Sequence, residues 1–112
     1  MNNLLPVFIL NELIILPNQE IKIDLSNEFS KKIIKVASKN NNKVLVIAPK
    51  NSLETEPSLE DLPKVGVIAN IKSKVELPNG NLRVILKGET RVSILKYFQN
   101  KNTNILKCLP DI

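Results

Sequence analysis

The stretch that decides the fold runs from Val65 to Leu95, VGVIANIKSKVELPNGNLRVILKGETRVSIL. Before its central turn the apolar residues occupy odd positions: Val65, Val67, Ala69, Ile71, Val75 and Leu77. After the turn they occupy even positions: Leu82, Val84, Leu86, Val92 and Ile94. A two-residue turn at Asn79-Gly80 pairs odd with even positions, so the turn and both apolar faces indicate one register. The stretch therefore predicts a β-hairpin in which Leu77 faces Leu82, Val75 faces Val84 and Val67 faces Val92.

The segments outside this hairpin predict further strands and one helix. Apolar patterning predicts strands at Leu4–Leu10, Glu20–Leu25 and Ile105–Leu109, and the unbroken run Val44–Ala48 predicts a strand buried on both faces. Ser26 or Asn27 is expected to cap a helix of about three turns that ends at Asn40–Asn42. Its apolar stripe comprises Phe29, Ile33, Val36 and Ala37. Pro49–Pro63 is a long acidic connector.

The order strand, strand, helix, strand, hairpin, strand sets the fold class. One helix is too little to cover the apolar surface of these strands, so most of that surface must be buried by other strands. We expect a mainly β, α+β fold: a curled, mixed sheet or small barrel of about six strands with one main helix packed against it.

The composition excludes several chemistries. The chain has 112 residues, no histidine and a single cysteine, Cys108. Catalysis of the Ser-His-Asp or Cys-His type is therefore impossible, and a zinc site is not expected. The sequence contains no Gly-rich phosphate-binding motif either. We expect no enzymatic activity, no metal and no cofactor in this chain, and the lone cysteine is consistent with a cytoplasmic location.

The charge and the apolar N-terminal run admit two functional readings that we do not favour. A net charge of +5 could indicate a nucleic-acid surface, but the lysines are scattered and the four aromatic residues are not interleaved with them. We therefore do not expect this chain to bind nucleic acid. The run from Leu4 to Leu16 is interrupted by Pro6, Asn11 and Glu12 and lacks a preceding basic residue, so neither a signal peptide nor a membrane span is expected.

Short segments, in order along the chain, carry a family resemblance. They are Leu5–Phe8 with Leu16-Pro17; Glu56-Pro57 with Asp61-Leu62 and Val65–Ala69; and Leu77–Gly80 with Val84–Leu86 and Gly88–Val92. This set resembles, from about Leu4 to Leu109, the N-terminal domain of the ATP-dependent Lon proteases. The family usually has glycine after the proline of the first loop, where this chain has Asn18, a residue that also tolerates a left-handed conformation.

The resemblance implies a PUA-like pseudo-barrel, with residues 1–112 forming a single domain and a fragment of a longer chain. It implies substrate recognition, and support of a ring-shaped homo-oligomer such as a hexamer, in an ATP-dependent serine protease that degrades misfolded and regulatory proteins. ATP and Mg²⁺ would belong to the AAA+ module of that longer protein, so no catalytic residue is carried over. Structural roles are expected for the motif residues Pro6, Pro17, Gly66, Pro78, Gly80, Gly88 and Arg91.

Three further expectations follow from the hairpin register. In the predicted register Gly88 faces Ile71, where it would relieve crowding or permit a bulge. Arg91 is expected on the outer face near Ile68 and Glu89, within reach of a surface ion pair. Glu76 is expected opposite Arg83 as a cross-strand pair.

Three segments are candidates for binding unfolded polypeptide. The first, Leu13, Ile14, Ile15 and Leu16, is either an exposed apolar loop or a buried strand edge, and the cost of exposing four apolar residues favours the strand edge. The second is the first helical turn, with Glu28, Phe29 and Lys32, which could read degron side chains or serve as cap, core and solvated charge. The third is the connector Leu53–Leu62, either a segment that orders on binding or a flexible spacer.

Two alternatives to a Lon-type recognition domain remain open from the sequence. One is a stand-alone PUA-like module that binds RNA or a small ligand, which the net charge and the fold analogy suggest. The other is an adaptor that works without its own protease.

Overall fold

The computed structural model describes residues 4–10, 15–39, 41–48, 62–99 and 105–111. The elements in chain order are β1 (Leu5–Ile9), β2 (Glu20–Leu25), α1 (Glu28–Ser38), β3 (Lys43–Ile47), β4 (Val65–Glu76), β5 (Leu82–Gln99) and β6 (Leu106–Asp111). The predicted order of strand, strand, helix, strand, hairpin, strand is confirmed. The connector from 49 to 61 lies outside the described residues.

The six strands form one mixed sheet that closes on itself. Their order is β2-β5-β4-β3-β1-β6, and β6 pairs in addition with β5. The β1–β3 pair is parallel, and the other pairs are antiparallel. The 18-residue strand β5 is long enough to pair with β2, β4 and β6, and this length closes the ring. The predicted pseudo-barrel with one helix is thus confirmed.

The β4–β5 turn differs from the predicted turn by one residue. The Gly80 N–H donates to the Leu77 carbonyl (2.9 Å), and the Leu77 N–H donates to the Asn81 carbonyl (2.8 Å). The loop therefore contains the three residues 78–80, with Gly80 at a φ of 88°, an arrangement typical of three-residue hairpin loops. The predicted two-residue turn at Asn79-Gly80 is wrong.

This shift changes every predicted pair of the hairpin. Val75 faces Arg83 and Glu76 faces Leu82, so the predicted pairs Leu77–Leu82, Val75–Val84 and Glu76–Arg83 are wrong. Arg83 instead forms a bidentate ion pair with Asp24 on β2, with N–O distances of 2.8 and 3.1 Å. Farther from the turn Val67 faces Arg91 rather than Val92, and Gly88 faces Ala69 rather than Ile71.

Two β-bulges explain how the apolar pattern survives this shift. Lys72 is an extra residue in β4, between the pairs Ile71–Leu86 and Ser73–Ile85, and Glu89 is an extra residue in β5, between Ala69–Gly88 and Ile68–Thr90. Each extra residue reverses which face of its strand points inward. Val75, which follows the first bulge, is consequently exposed, although the odd-numbered pattern predicts it in the core.

The barrel wall separates two apolar clusters. The first lies under the helix and includes Phe8, Ile34, Val44, Val46, Leu82, Val84 and Leu86. The second lies on the other side and includes Val7, Leu45, Ile47, Leu62, Val92, Ile94 and Cys108. Because Glu89 is an extra residue, the even-numbered apolar residues of β5 that precede this bulge pack in the first cluster, and those that follow the bulge pack in the second cluster. Val44 to Ile47 on β3 alternate between the clusters, which confirms a strand buried on both faces, whereas Ala48 is exposed.

The helix is capped as predicted, but it is rotated relative to the predicted stripe. The Asn27 side chain accepts a hydrogen bond from the Phe29 N–H (2.7 Å), and positive φ angles at Asn41 and Asn42 follow the helix. The buried residues are Ile33, Ile34 and Ala37. Phe29, predicted as the start of the stripe, is 43% exposed, because the face that meets the sheet is centred on Ile34.

Candidate functional site

The residues from Leu16 to Gln19 form a tight turn between β1 and β2. The Gln19 N–H donates to the Leu16 carbonyl (3.0 Å), and the Gln19 side chain accepts from the Leu16 N–H (2.9 Å). Proline follows Leu16, and Asn18 has a φ of 68°, the combination that a type II turn requires. Asn18 therefore takes the left-handed position where the Lon family usually has glycine.

This turn is held against the backbone of Gly88. The Asn18 N–H donates to the Gly88 carbonyl (2.7 Å), and the Gly88 N–H donates to the Gln19 carbonyl (2.8 Å). A Cβ atom on Gly88 would lie 2.2 Å from the carbonyl oxygen of Leu16. The close approach is possible only because residue 88 has no side chain.

An open apolar groove of about 270 Å³ lies beside the turn. Its walls are the turn, the end of β3, the start of β4 and one residue of β5. The lining residues are Ile15, Leu16, Pro17, Val46, Ile47, Ala48, Val65, Gly66, Val67 and Arg91. Leu16 is 58% exposed and Val65 is 41% exposed, so the groove offers apolar surface to solvent. The odd-numbered apolar pattern predicts Val65 on the same buried face as Val67, but Val67 belongs to the first cluster and Val65 does not.

Gly66 allows the two strands of the groove floor to approach closely. A Cβ atom at this position would lie 2.9 Å from the carbonyl oxygen of Val46 on the neighbouring strand. Arg91 forms the polar rim of the groove, and it faces Val67 across the β4–β5 ladder. Glu89, expected near Arg91, pairs instead with Lys43.

The structure separates the members of the first candidate segment. Ile15 is buried in the first cluster, whereas Leu16 is exposed on the groove, and neither residue belongs to a strand. The predicted strand is therefore wrong for this pair; the predicted burial is confirmed for Ile15 and wrong for Leu16, because the chain turns at Pro17 and carries Leu16 to the surface. Leu13 and Ile14 lie outside the described residues.

The other two candidate segments are not part of the groove. Glu28 forms an ion pair with Lys31 (3.1 Å), and none of Glu28, Phe29 and Lys32 lines the groove. Residues 53–61 of the connector lie outside the described residues, and Leu62 is buried in the second cluster. Sequence reasoning missed the contribution of Val46–Ala48 and Val65, because strands that are distant in sequence form these walls.

The described residues contain no metal-binding cluster, and their one cysteine is buried. No group of three or more His, Cys, Asp or Glu side chains within them could hold a metal ion. Cys108 is buried, and this burial raises the pKa of its thiol to about 12, so it is a poor nucleophile at neutral pH. Over the same residues no helix is long and apolar enough to cross a membrane.

The fold and the groove define a mainly β pseudo-barrel domain with an open apolar recess on its surface. Residues 4–108 match the model of the ATP-dependent protease La (LON) substrate-binding domain, and the chain belongs to this family. The resemblance found in the sequence is thereby confirmed.

Two Lon proteases illustrate the relationship. The protein of Brevibacillus choshinensis is 30% identical over 98 residues, which cover 88% of this chain and 13% of that protein. The protein of Heliobacterium modesticaldum is 32% identical over 93 residues, which cover 83% of this chain and 11% of that protein. The chain thus spans only a small part of the length of these relatives.

Two solved structures share the fold. The N-terminal domain of Mycobacterium avium complex Lon protease aligns with a TM-score of 0.74 and 22% identity, over 96% of this chain and 53% of that one. A Lon N-terminal domain protein from Xanthomonas campestris aligns with a TM-score of 0.75 and 15% identity, over 96% of this chain and 58% of that one.

Proposed function

We propose that this domain recognises exposed apolar segments of unfolded or degron-bearing proteins on behalf of an ATP-dependent Lon-type protease. The observation that carries the proposal is the open groove beside Leu16, whose described lining residues are apolar apart from Arg91 at the rim. Large apolar side chains left in solvent around a recess are typical of protein-binding sites. Membership of a substrate-binding family supports the same conclusion.

The size of the groove sets the strength of binding. Burying a side chain such as Leu16 contributes about 1.5–3 kcal/mol. A recess of about 270 Å³ holds one or two ligand side chains. We therefore expect a dissociation constant on the order of 0.1 mM for a short peptide, because part of the gain offsets the entropy lost on binding.

Weak single-site binding is suited to a ring of identical subunits. Linked copies of one site raise the apparent affinity for a long unfolded chain without any new contact. We propose that the domain supports such a homo-oligomeric, hexameric ring in a longer protein in the cytoplasm. In this proposal ATP, Mg²⁺ and the serine protease chemistry belong to the AAA+ and protease modules of that protein, and misfolded and regulatory proteins are the substrates.

Two leucine variants test the groove. Leu16→Ser removes apolar surface from the groove, and Leu95→Ser removes it from an exposed position outside the groove; the two leucines are 58% and 60% exposed. Fluorescence anisotropy with a labelled ten-residue peptide that contains Leu and Phe measures binding. We expect Leu16→Ser to weaken binding about fivefold or more and Leu95→Ser to leave it unchanged. Equal affinities for the two variants would contradict the proposal.

A further inference from the structure

We propose that a second, cationic recess beside the groove binds carboxylate side chains of the same polypeptide, so that the domain prefers apolar segments with acidic residues nearby. The inference rests on the proposed function, because it presupposes a polypeptide in the groove. It adds a site and a substrate class that the groove alone does not define.

The recess has a volume of about 360 Å³ and a polar lining. It is formed by the far side of the Leu16–Gln19 turn together with β4 and β5. The side chains that border it belong to Asn18, Asn70, Lys72, Lys87, Glu89 and Thr90. Amide, hydroxyl and ammonium groups are hydrogen-bond donors, which suits a carboxylate ligand.

Both β-bulges of the hairpin border this recess. Lys72 is the extra residue of β4, and Glu89 is the extra residue of β5. A bulge redirects the side chain of the extra residue, and bulges are enriched next to functional sites for this reason. The bulge at Lys72 thus brings its ammonium group to the recess that also contains Lys87.

The charges around the recess leave it positive. Glu89 is neutralised by its ion pair with Lys43. Lys87 faces Glu20 across the β2–β5 ladder, but within the described part of the chain neither Lys72 nor Lys87 forms an ion pair. Two lysines therefore remain available for an external anion.

The recess and the groove lie on either side of the same turn. Pro17 and Arg91 line the groove, and their sequence neighbours Asn18 and Thr90 line the recess. Pro17 and Asn18 are consecutive residues of the turn, and consecutive Cα atoms are about 3.8 Å apart, so a peptide anchored in the groove reaches the recess by crossing the turn. The path does not follow β5, because the bulge at Glu89 lies between Lys87 and Arg91. A segment with an apolar anchor in the groove can therefore place an acidic side chain in the recess.

The apolar walls favour a polypeptide over a nucleic acid. Bases bind single-stranded sites by stacking on aromatic side chains. The described residues that line the groove and the recess include no aromatic residue. A carboxylate carried by an apolar peptide fits both surfaces at once.

Three peptides with one apolar anchor test the preference. They carry two Asp, two Asn or two Lys residues four positions from the anchor. The proteins are the unmodified chain, the double variant Lys72→Gln/Lys87→Gln, and the control Lys35→Gln/Lys39→Gln, which changes the net charge equally on the exposed face and end of α1. Anisotropy is measured in 50 and 300 mM salt.

We expect the unmodified chain to bind the Asp peptide about three- to tenfold more tightly than the Asn peptide in low salt, as two exposed ion pairs permit. The preference should shrink in high salt, disappear in Lys72→Gln/Lys87→Gln and persist in the control.

Equal affinity for the three peptides, or an equal loss of preference in the control, would overturn the inference and leave the groove proposal standing. Failure of every peptide to bind would overturn both. Displacement of the Asp peptide by an equimolar ten-nucleotide single-stranded DNA would also overturn the inference, since the cationic recess would then favour nucleic acid.

Discussion

Replacement of Gly88 by alanine is the sharpest structural perturbation that the fold offers. The new methyl group would lie 2.2 Å from the Leu16 carbonyl oxygen and 3.2 Å from the Ile15 side chain. The nearest atom is backbone, and ordinary van der Waals contact begins at 3.4 Å, so relief requires the whole turn to move by more than 1 Å. That movement lengthens the two hydrogen bonds that join the turn to Gly88.

The cost follows from these contacts. Overpacking a tight site costs about 1–3 kcal/mol, and weakening two backbone hydrogen bonds adds about 0.5–1.5 kcal/mol for each bond that is lost. We expect Gly88→Ala to lower the free energy of unfolding by about 2–4 kcal/mol, measured by urea denaturation with circular dichroism. Hydrogen exchange should show reduced protection of the Asn18 amide, which donates to Gly88.

Gly80→Ala is the matched control. A Cβ atom there meets no atom within 4 Å, but the φ of 88° disfavours alanine, at a cost of about 1–2 kcal/mol. This variant should keep the protection of the Asn18 amide. The close docking of the turn is refuted if the free energy of unfolding of Gly88→Ala lies within about 0.5 kcal/mol of that of the unmodified chain and the Asn18 amide stays protected from exchange.

Three further predictions concern the core and the charges. Ile34→Ala should destabilise the fold by about 2–5 kcal/mol in urea denaturation, whereas Phe29→Ala should cost less than about 1 kcal/mol, because Ile34 is fully buried and Phe29 is not. The hydrogen bond from Arg83 holds the pKa of Asp24 below its usual value, so this ion pair stabilises the fold at neutral pH. The stabilisation is lost as the pH falls through the lowered pKa. In Arg83→Gln an NMR titration should find the pKa of Asp24 back in its ordinary range. Cys108 should react with a thiol reagent at pH 8 only after unfolding, and a fast reaction of the native protein would show that this thiol is accessible.

The existence of the hairpin was predictable, but its register was not. Pro78, Asn79 and Gly80 fit a two-residue or a three-residue loop equally well, and one residue of difference shifts every pair. The bulges at Lys72 and Glu89 are hidden in the sequence, because both residues look like ordinary polar positions of an alternating strand. The bulge at Lys72 brings Ile71 opposite Leu86 after the shift, so the apolar residues of the two strands again share a face and the apolar pattern alone cannot reveal the bulge.

The helix and the groove show where local patterns stop being informative. The spacing of apolar residues in α1 predicts a buried stripe that includes Phe29 and omits Ile34, although both positions fit a helical stripe. The contact between the helix and the sheet decides which of the two is buried. Leu16 and Ile15 are neighbours of similar hydropathy, but the turn at Pro17 buries one and exposes the other. The candidate site depends on four chain segments that meet only in the folded protein.

The central claim is that the groove beside Leu16 is where apolar polypeptide binds. Titration of the ¹⁵N-labelled protein with an unlabelled Leu- and Phe-containing peptide, followed by NMR, tests it most directly. We predict that the largest shifts map to the amides of Leu16, Val46–Ala48, Val65–Val67 and Arg91. No shift at millimolar peptide, or shifts confined to the first turn of α1 or to the surface around Leu95, would contradict it.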